Sequence, residues 1–188
     1  MHSLHPELTH AMSAMLNKLD SSLRSGGYTG APVSMYLAGG MAVHYHCGTR
    51  YTEDVDASFS ARLLISAKDL TVDYVREDGS PSTLYFDANY NDTFALMHPD
   101  YRENSVEWEG IGNETRCVHL RVLAPLDLAV SKISRFSEQD QADIHALADA
   151  GLIASDKLRA HALEALDYYV GNTAWVRGTI DIICSEIS

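Results

Sequence analysis

The chain has 188 residues, of which 46% are hydrophobic and 21% are charged, and its formal net charge is -12 at pH 7. This composition is typical of a globular protein with enough apolar residues for a buried core, and the length fits one compact domain or a core with a small additional domain. The excess of negative charge opposes long-range attraction to bare nucleic acid. It favours small molecules, protein partners or metal-neutralised nucleotides as ligands.

The chain contains three cysteines, Cys47, Cys117 and Cys184, which lie far apart in the sequence. They have neither CxxC nor zinc-site spacing, so we expect them to be reduced thiols. The sequence does not open with a basic and then apolar leader, and it lacks an apolar run of about 18 residues. These features predict a cytoplasmic protein that does not enter a membrane.

The first part of the chain predicts an amphipathic helix followed by a strand and a short helix. Leucine and methionine recur at helical spacing over residues 4–23, and the pattern ends at Gly26 and Gly27. The apolar residues 33–38 predict a strand. After a glycine pair, residues 41–47 predict a short helix.

The middle of the chain predicts most of a β-sheet. Residues 54–60 predict one strand with a polar, acidic face. Further on, two strands flank a turn-forming segment and predict an antiparallel hairpin. The predicted elements after residue 60 are a short helix or irregular link over 63–68, the hairpin strands 70–76 and 83–90, a loop with helical pieces over 92–109, and a strand over 116–123.

The last third of the chain predicts helices. Pro125 is suited to the first turn of a helix. Ser137 and Asp140 form a capping-box pattern for a second helix that ends near Gly151. The remaining predicted helices run from Ser155 or Asp156 to Gly171, and from a cap at Asn172 onward. The fold class is therefore α/β of the α+β type, with a mixed β-sheet core flanked by helices over residues 1–123 and a C-terminal helical subdomain over 124–188.

One group of residues in this pattern is suited to catalysis. Gly39 and Gly40 follow the first predicted strand, and Asp54 and Asp56 follow after a short spacer. Glycines allow close approach of a phosphate to the backbone. Aspartates two residues apart on a strand point to the same side. Paired carboxylates beside a phosphate cradle are suited to a two-magnesium phosphoryl-transfer site.

These motifs resemble the signature of the nucleotidyltransferase superfamily with the DNA polymerase β-like fold. The phrase from Leu37 to Asp56 is most similar to small prokaryotic members, such as minimal nucleotidyltransferases and AbiE-type toxins of toxin–antitoxin systems. A later phrase, from Leu126 through Lys132 to Asp143, is also similar to those proteins. Together the similarities span roughly residues 33–150.

The resemblance implies roles for the matching residues. Gly39 and Gly40 hold the triphosphate at the start of the following helix, and Asp54 and Asp56 bind Mg²⁺, with Mn²⁺ as the alternative. A third carboxylate completes the metal site and activates the attacking hydroxyl. Asp87 is the first choice for it, because apolar residues flank it on a predicted strand, and Asp73 is the second. Either residue could reach the site if both hairpin strands lie beside Asp54 and Asp56.

Further residues are expected at the nucleotide by the same resemblance, although each has a structural alternative. Arg50 and Thr52 precede the acidic strand, and Arg50 is equally suited to a structural ion pair. Lys132 and Asp143 are expected to approach the nucleotide from the helical part. Ordinary exposure on a helix is the alternative for Lys132.

The sequence thus predicts a magnesium-dependent nucleotidyltransferase that moves a nucleoside monophosphate from a nucleoside triphosphate to a hydroxyl. The acceptor is an RNA, a protein or a small molecule, and a toxin role would add a cognate antitoxin as partner. The alternative is a nucleotide-binding sensor or antitoxin-like module on the same fold without catalysis. A sensor would lack the third carboxylate.

Overall fold

The computed structural model describes residues 5–48, 51–64 and 66–187, and these form two compact units. The α/β unit contains the described residues of Met1–Tyr90 together with Val106–Val122. The helical unit contains the described residues of Asn91–Ser105 and Leu123–Ser188. The α+β fold class is confirmed. The helices within these described ranges are each too short or too polar to cross a lipid bilayer.

The α/β unit contains two helices, seven short strands and two 3₁₀ turns among its described residues. In chain order its elements are α1 (Pro6–Ser25), β1 (Val33–Leu37), α2 (Gly39–Cys47), β2 (Asp54–Val55), β3 (Ala57–Phe59), a 3₁₀ turn (Ala67–Leu70), β4 (Val72–Val75), β5 (Pro81–Phe86), β6 (Val106–Glu107), a 3₁₀ turn (Asn113–Thr115) and β7 (Val118–Val122).

Two mixed sheets organise this unit. The first has the strand order β3-β1-β7-β6, with β1 parallel to β7 and the outer pairs antiparallel. The second has the order β2-β5-β4, with β2 parallel to β5. The predicted hairpin is confirmed as β4 and β5, which pair antiparallel with Val72 opposite Leu84.

The amphipathic first helix is confirmed as α1. Its apolar positions at helical spacing form one buried face, as the sequence pattern requires. The buried residues are Leu8, Ala11, Met12, Met15, Leu16 and Leu19. The next helix, α2, begins at the glycine pair, two residues earlier than predicted, and ends at Cys47. Gly48 caps it with a φ of 68°, the left-handed conformation that glycine adopts readily.

The single strand predicted over residues 54–60 is wrong, because the chain changes sheets at Asp56. β2 pairs with β5, whereas β3 pairs with β1. The carbonyl of Val55 accepts a hydrogen bond from Asp87 N–H at 3.1 Å, and the carbonyl of Asp56 accepts one from Ala38 N–H at 2.8 Å. Successive carbonyls of an extended chain point to opposite edges, so one segment pairs with both sheets in turn.

The helical unit contains four longer helices and two short ones among its described residues. They are a 3₁₀ turn (Asp92–Phe94), α3 (Tyr101–Asn104), α4 (Pro125–Ile133), α5 (Glu138–Asp149), α6 (Ser155–Leu166) and α7 (Thr173–Glu186). The predicted capping box is confirmed, since Ser137 and Asp140 bond reciprocally at the start of α5. Asn172 caps α7 by accepting from Trp175 N–H at 3.1 Å.

The predicted extension of α6 to Gly171 is wrong. The helix ends at Leu166, and the N–H groups of Asp167, Tyr168 and Tyr169 each bond to the carbonyl three residues earlier. These tighter turns end an α-helix. The following side chains bury little, since Tyr168 is 67% and Val170 is 92% exposed, so continued helix would gain no packing.

Candidate active site

The site begins where Gly39 meets Asp56. Gly39 is the first residue of α2, and its φ of 60° lies in the left-handed region. A Cβ atom at this position would lie 1.8 Å from Oδ2 of Asp56. Real Cβ contacts are never that short, so only glycine allows the carboxylate to occupy this position. The glycine motif and the acidic motif of the sequence are therefore in direct contact.

A backbone hydrogen bond also holds Asp56 next to the start of α2. The Ala38 N–H group, immediately before α2, donates to the carbonyl of Asp56 at 2.8 Å. Gly40 is buried in the first turn of α2. The first N–H groups of a helix have no partner within the helix, and they favour anions. A carboxylate and a set of anion-binding N–H groups thus lie side by side.

Asp87 lies beside Asp56 because β2 and β5 run parallel. The register pairs Asp54 with Tyr85 and Val55 with Phe86, and extending it by one residue beyond the two strands would place Asp56 opposite Asp87. The Asp87 N–H bond to the Val55 carbonyl continues this ladder. Paired residues of parallel strands point to the same face. The alternation of the strands would then place Asp54, Asp56 and Asp87 on one face, opposite the buried Val55 and Phe86.

Asp73, the second choice for the third carboxylate, lies farther from the pair. It is exposed on β4, and β5 separates β4 from β2 in the sheet. Its Oδ1 accepts a hydrogen bond from the Thr83 hydroxyl at 2.7 Å. Asp87 is thus one strand from Asp54 and Asp73 is two strands away.

Asp54 itself is held by its neighbours in the chain. The Thr52 hydroxyl accepts from Asp54 N–H at 3.3 Å, so the predicted nucleotide ligand Thr52 contacts the backbone of Asp54. Glu53 accepts hydrogen bonds from Arg76 at 3.0 Å and from the Ser82 hydroxyl at 3.1 Å. Sequence reasoning missed this bracing network, because its members are separated by 23 and 29 positions. Arg50 lies outside the described residues.

Lys132 and Asp143 form a buried ion pair in the helical unit. Lys132 Nζ donates to Asp143 Oδ2 at 2.6 Å, and their side chains are only 4% and 3% exposed. Asp143 Oδ1 also accepts from the Gln139 amide at 3.1 Å. Lys132 is thus neither freely exposed nor isolated, and its approach to a nucleotide stays a prediction.

Asp140 connects the buried Lys132–Asp143 pair to Arg135. Its carboxylate is fully buried and accepts two hydrogen bonds from Arg135, at 2.6 and 2.7 Å, and further bonds from Ser137. Burial raises the pKa of Asp140, but the hydrogen bonds from Arg135 and Ser137 outweigh it and lower the pKa to about 2. The carboxylate is therefore ionised at every physiological pH.

Replacing Asp140 with asparagine should lower the free energy of unfolding by about 2–4 kcal/mol at neutral pH, since Arg135 and Lys132 lose a buried anionic partner. The folded pKa is below the ordinary value of 3.8. The difference between wild type and variant should therefore be full above about pH 4 and shrink as the pH falls toward about 2. Urea denaturation across this range measures it. Asp149→Asn, an exposed change at the end of α5, is the control, and an equal loss of stability at every pH would contradict the assignment.

Asp54, Asp56 and Asp87 offer carboxylate oxygens of the kind that bind divalent metal ions, but the three carboxylates are not close enough together to form one ligand group. Within the part of the chain that the structure describes, the groups of three residues whose ligand atoms lie within 4.8 Å of one another are His98–Asp127–His161 and His5–Glu7–Glu77. The three aspartates are not such a group. Two ions shared among the carboxylates, or rotation of one side chain, would be needed for all three to act as ligands.

A comparison with known families assigns the chain to a family of nucleotidyltransferases. Residues 14–180 match the family described as "Nucleotidyltransferase of unknown function (DUF6036)", which covers the glycine pair, the aspartates and most of the helical unit. The chain belongs to this family of nucleotidyltransferases. No curated protein matches the chain. Proteins of this class take a nucleoside triphosphate as substrate and generally use divalent metal ions.

Proposed function

We propose that the protein is a magnesium-dependent nucleotidyltransferase that moves a nucleoside monophosphate from a nucleoside triphosphate to an acceptor hydroxyl. In this proposal Asp54, Asp56 and Asp87 hold the metal ions. Gly39 and Gly40 bind the triphosphate through the first N–H groups of α2. The observation that carries the proposal is the contact of Gly39 with the carboxylate of Asp56.

The donor set suits magnesium. All three side chains offer carboxylate oxygens, which are the ligands that hard cations such as Mg²⁺ prefer, and Mn²⁺ accepts the same ligands. Asp54 is exposed and Asp56 and Asp87 are partly exposed, so the face is open to a nucleotide. Magnesium, when bound, would neutralise phosphate charge and stabilise the developing negative charge on the leaving pyrophosphate.

Residues of the chain would orient the substrate and move the proton in the transfer reaction. The first N–H groups of α2 orient the phosphates. Asp87 accepts the proton of the acceptor hydroxyl, whose oxygen then bonds to the α-phosphorus. The bond between the α-phosphorus and the bridging oxygen breaks, and pyrophosphate leaves with the electron pair. Thr52 keeps the backbone of Asp54 in place through its hydroxyl.

Arg50, Lys132 and Asp143 complete the proposal as nucleotide contacts. For Lys132 this role requires its ammonium group to reach a phosphate while paired with Asp143, or to exchange that partner for the phosphate. The structural alternative is that the pair only stabilises the helical unit. The support for a nucleotide role is the resemblance of the surrounding phrase to small prokaryotic nucleotidyltransferases.

The acceptor is proposed by class only. The net charge of -12 favours a small molecule or a protein over RNA, because binding RNA requires clustered positive charge. A toxin of a toxin–antitoxin pair, with a cognate antitoxin protein as partner, is the biological role that resemblance to AbiE-type toxins suggests. The sensor alternative expects no third carboxylate, and Asp87 beside Asp56 favours the enzyme over it.

The test compares Asp87→Asn with Asp73→Asn in transfer of α-phosphate label from nucleoside triphosphates into a cell extract with Mg²⁺. Removing the general base should lower transfer about a hundredfold. Asp73→Asn removes a carboxylate of the same sheet two strands away and should leave transfer within about twofold of wild type. The reverse ranking would assign the third carboxylate to Asp73. Equal activity of both variants and wild type would contradict a third carboxylate.

A further inference from the structure

A second cluster of ligand-type side chains lies inside the helical unit and has no part in the proposed transfer reaction. It contains His98 from the loop before α3, Asp127 from the first turn of α4, and His161 from α6. Glu164, three residues after His161, lies on the same side of α6. Three residues from three separate segments therefore lie together, and Glu164 lies at the edge of the cluster beside His98.

The cluster is tightly built and mostly buried. The side chains of His98, Asp127 and His161 are 5%, 1% and 15% exposed. One ligand atom from each lies within 4.8 Å of the others. His161 Nε2 is 2.7 Å from Asp127 Oδ1, and the rings of His98 and His161 stack with centroids 3.8 Å apart. Burying three such groups is costly unless each is paired.

One atom of the cluster is not satisfied. His98 Nε2 is buried and has no hydrogen-bond partner, although Glu164 Oε2 lies 3.4 Å away. The other ring nitrogen, Nδ1, accepts from the Asp100 N–H at 3.2 Å. A buried polar atom without a partner costs roughly 1–3 kcal/mol. The unpaired nitrogen lies beside two carboxylates and a second imidazole, which is the setting of a metal ligand.

We propose that His98, Asp127 and His161 bind a first-row transition-metal ion, of which Zn²⁺ is the model case, with Glu164 as the fourth ligand. Two imidazoles and one or two carboxylates are a donor set that Zn²⁺ accepts, whereas Mg²⁺ prefers oxygen ligands alone. The site is therefore chemically distinct from Asp54, Asp56 and Asp87. It does not depend on the proposed transferase activity.

Binding requires a change at His98. A metal ion lies in the plane of each imidazole that it binds, and the two rings are nearly parallel, with 9° between their planes. One ring must therefore turn out of the stack. Coordination through His98 Nε2 also places the proton on Nδ1, so the bond from Asp100 is given up. His98 lies on a loop, whereas Asp127 and His161 lie on helices, so we assign the movement to His98.

The test is calorimetric titration of the full chain, without an affinity tag, with Zn²⁺ in the presence of excess Mg²⁺. Wild type should bind one tight equivalent. His161→Ala should lower the affinity at least about a hundredfold, and His98→Ala should lower it less, because the helical pair remains. The control is His145→Ala. It removes a partly exposed histidine of the same unit, 3.3 Å from Glu186, and should bind as wild type does.

Melting temperatures distinguish the loss of a metal ligand from misfolding of a variant. Zn²⁺ should raise the melting temperature of wild type and of His145→Ala, and it should leave that of Asp127→Asn unchanged. No binding by wild type would overturn the proposal. So would equal binding by wild type, His98→Ala and His161→Ala. Binding lost in His5→Ala but kept in His161→Ala would assign the ion to the His5–Glu7–Glu77 group instead and also overturn it.

Discussion

Nucleotide transfer should fall at least about a thousandfold when Asp54 and Asp56 are both replaced by asparagine. The amide oxygens are weaker ligands for magnesium, and charge stabilisation by metal ions contributes several kcal/mol to such reactions, with each 1.36 kcal/mol equal to a factor of ten. Folding should be retained, because Asp54 is exposed and Asp56 is partly exposed. The measurement is label transfer, with circular dichroism and the melting temperature recorded on the same preparation.

The matched control for this pair is Asp69→Asn. Asp69 is another exposed aspartate of the α/β unit and lies in the 3₁₀ turn before β4. The change removes one carboxylate from the unit and leaves the shared face of β2 and β5 intact. Transfer by this variant should match wild type. Full activity in the double asparagine variant would contradict the assignment of the metal ligands.

The second large effect is expected for Gly39→Ala. The new Cβ would lie 1.8 Å from Asp56 Oδ2, and the φ of 60° is strained for any residue with a side chain. Left-handed strain costs about 1–2 kcal/mol, and forced repacking adds about 1–3 kcal/mol. The free energy of unfolding should therefore fall by about 2–5 kcal/mol. Transfer should fall with the displacement of the Asp56 carboxylate.

Gly79→Ala distinguishes the effect of backbone strain from the effect of displacing the Asp56 carboxylate. Gly79 lies in the turn between β4 and β5 with a φ of 82°, and a Cβ there would meet no atom within 4 Å. This variant should lose only about 1–2 kcal/mol of stability, and its transfer activity should be unchanged. Urea denaturation and label transfer on both variants give the comparison. If Gly39→Ala behaved like Gly79→Ala in both assays, the contact with Asp56 would have no functional role.

Local patterns in the sequence were sufficient to predict most helices and strands. The face of α1 follows from the 3.6-residue repeat of leucine and methionine, and the hairpin follows from the turn-forming residues between its strands. The capping box at Ser137 is a signal within four residues. Each of these features depends on neighbours in the chain, which a sequence displays directly.

The errors came from interactions over long sequence distances. The break at Asp56 depends on Ala38 and Asp87, which pair with opposite edges of the same segment. The early end of α6 depends on tertiary packing, because the side chains of a further helical turn would bury little surface. The alternation of residues 54–60 cannot distinguish one strand from two strands in different sheets, because both have the same period of two.

In the candidate site, too, the residues of a local motif were predictable and those that depend on long-range packing were not. Gly39, Asp54 and Asp56 were predictable, since their spacing is a motif. Asp87 is preferred over Asp73 in the sequence because apolar residues flank it on a strand, and its role as the third carboxylate stays a prediction. The hydrogen bond from Asp87 N–H to the Val55 carbonyl supports it, and this bond depends on pairing over a long sequence distance. Lys132 illustrates the limit, because its burial beside Asp143 depends on the packing of α4 and α5. The His98–Asp127–His161 cluster was missed because its members are 29 and 34 positions apart and match no local spacing.

The most direct test of nucleotidyl transfer uses two labels on the same nucleoside triphosphate. Wild-type protein, Mg²⁺ and cell extract are incubated with either α-phosphate-labelled or γ-phosphate-labelled substrate, for each of the four bases. The proposed reaction transfers the α label to an acceptor and releases the γ label as pyrophosphate, and both signals disappear in the Asp54→Asn/Asp56→Asn variant. Transfer of the γ label to the acceptor, or no label transfer with any nucleotide, would contradict it.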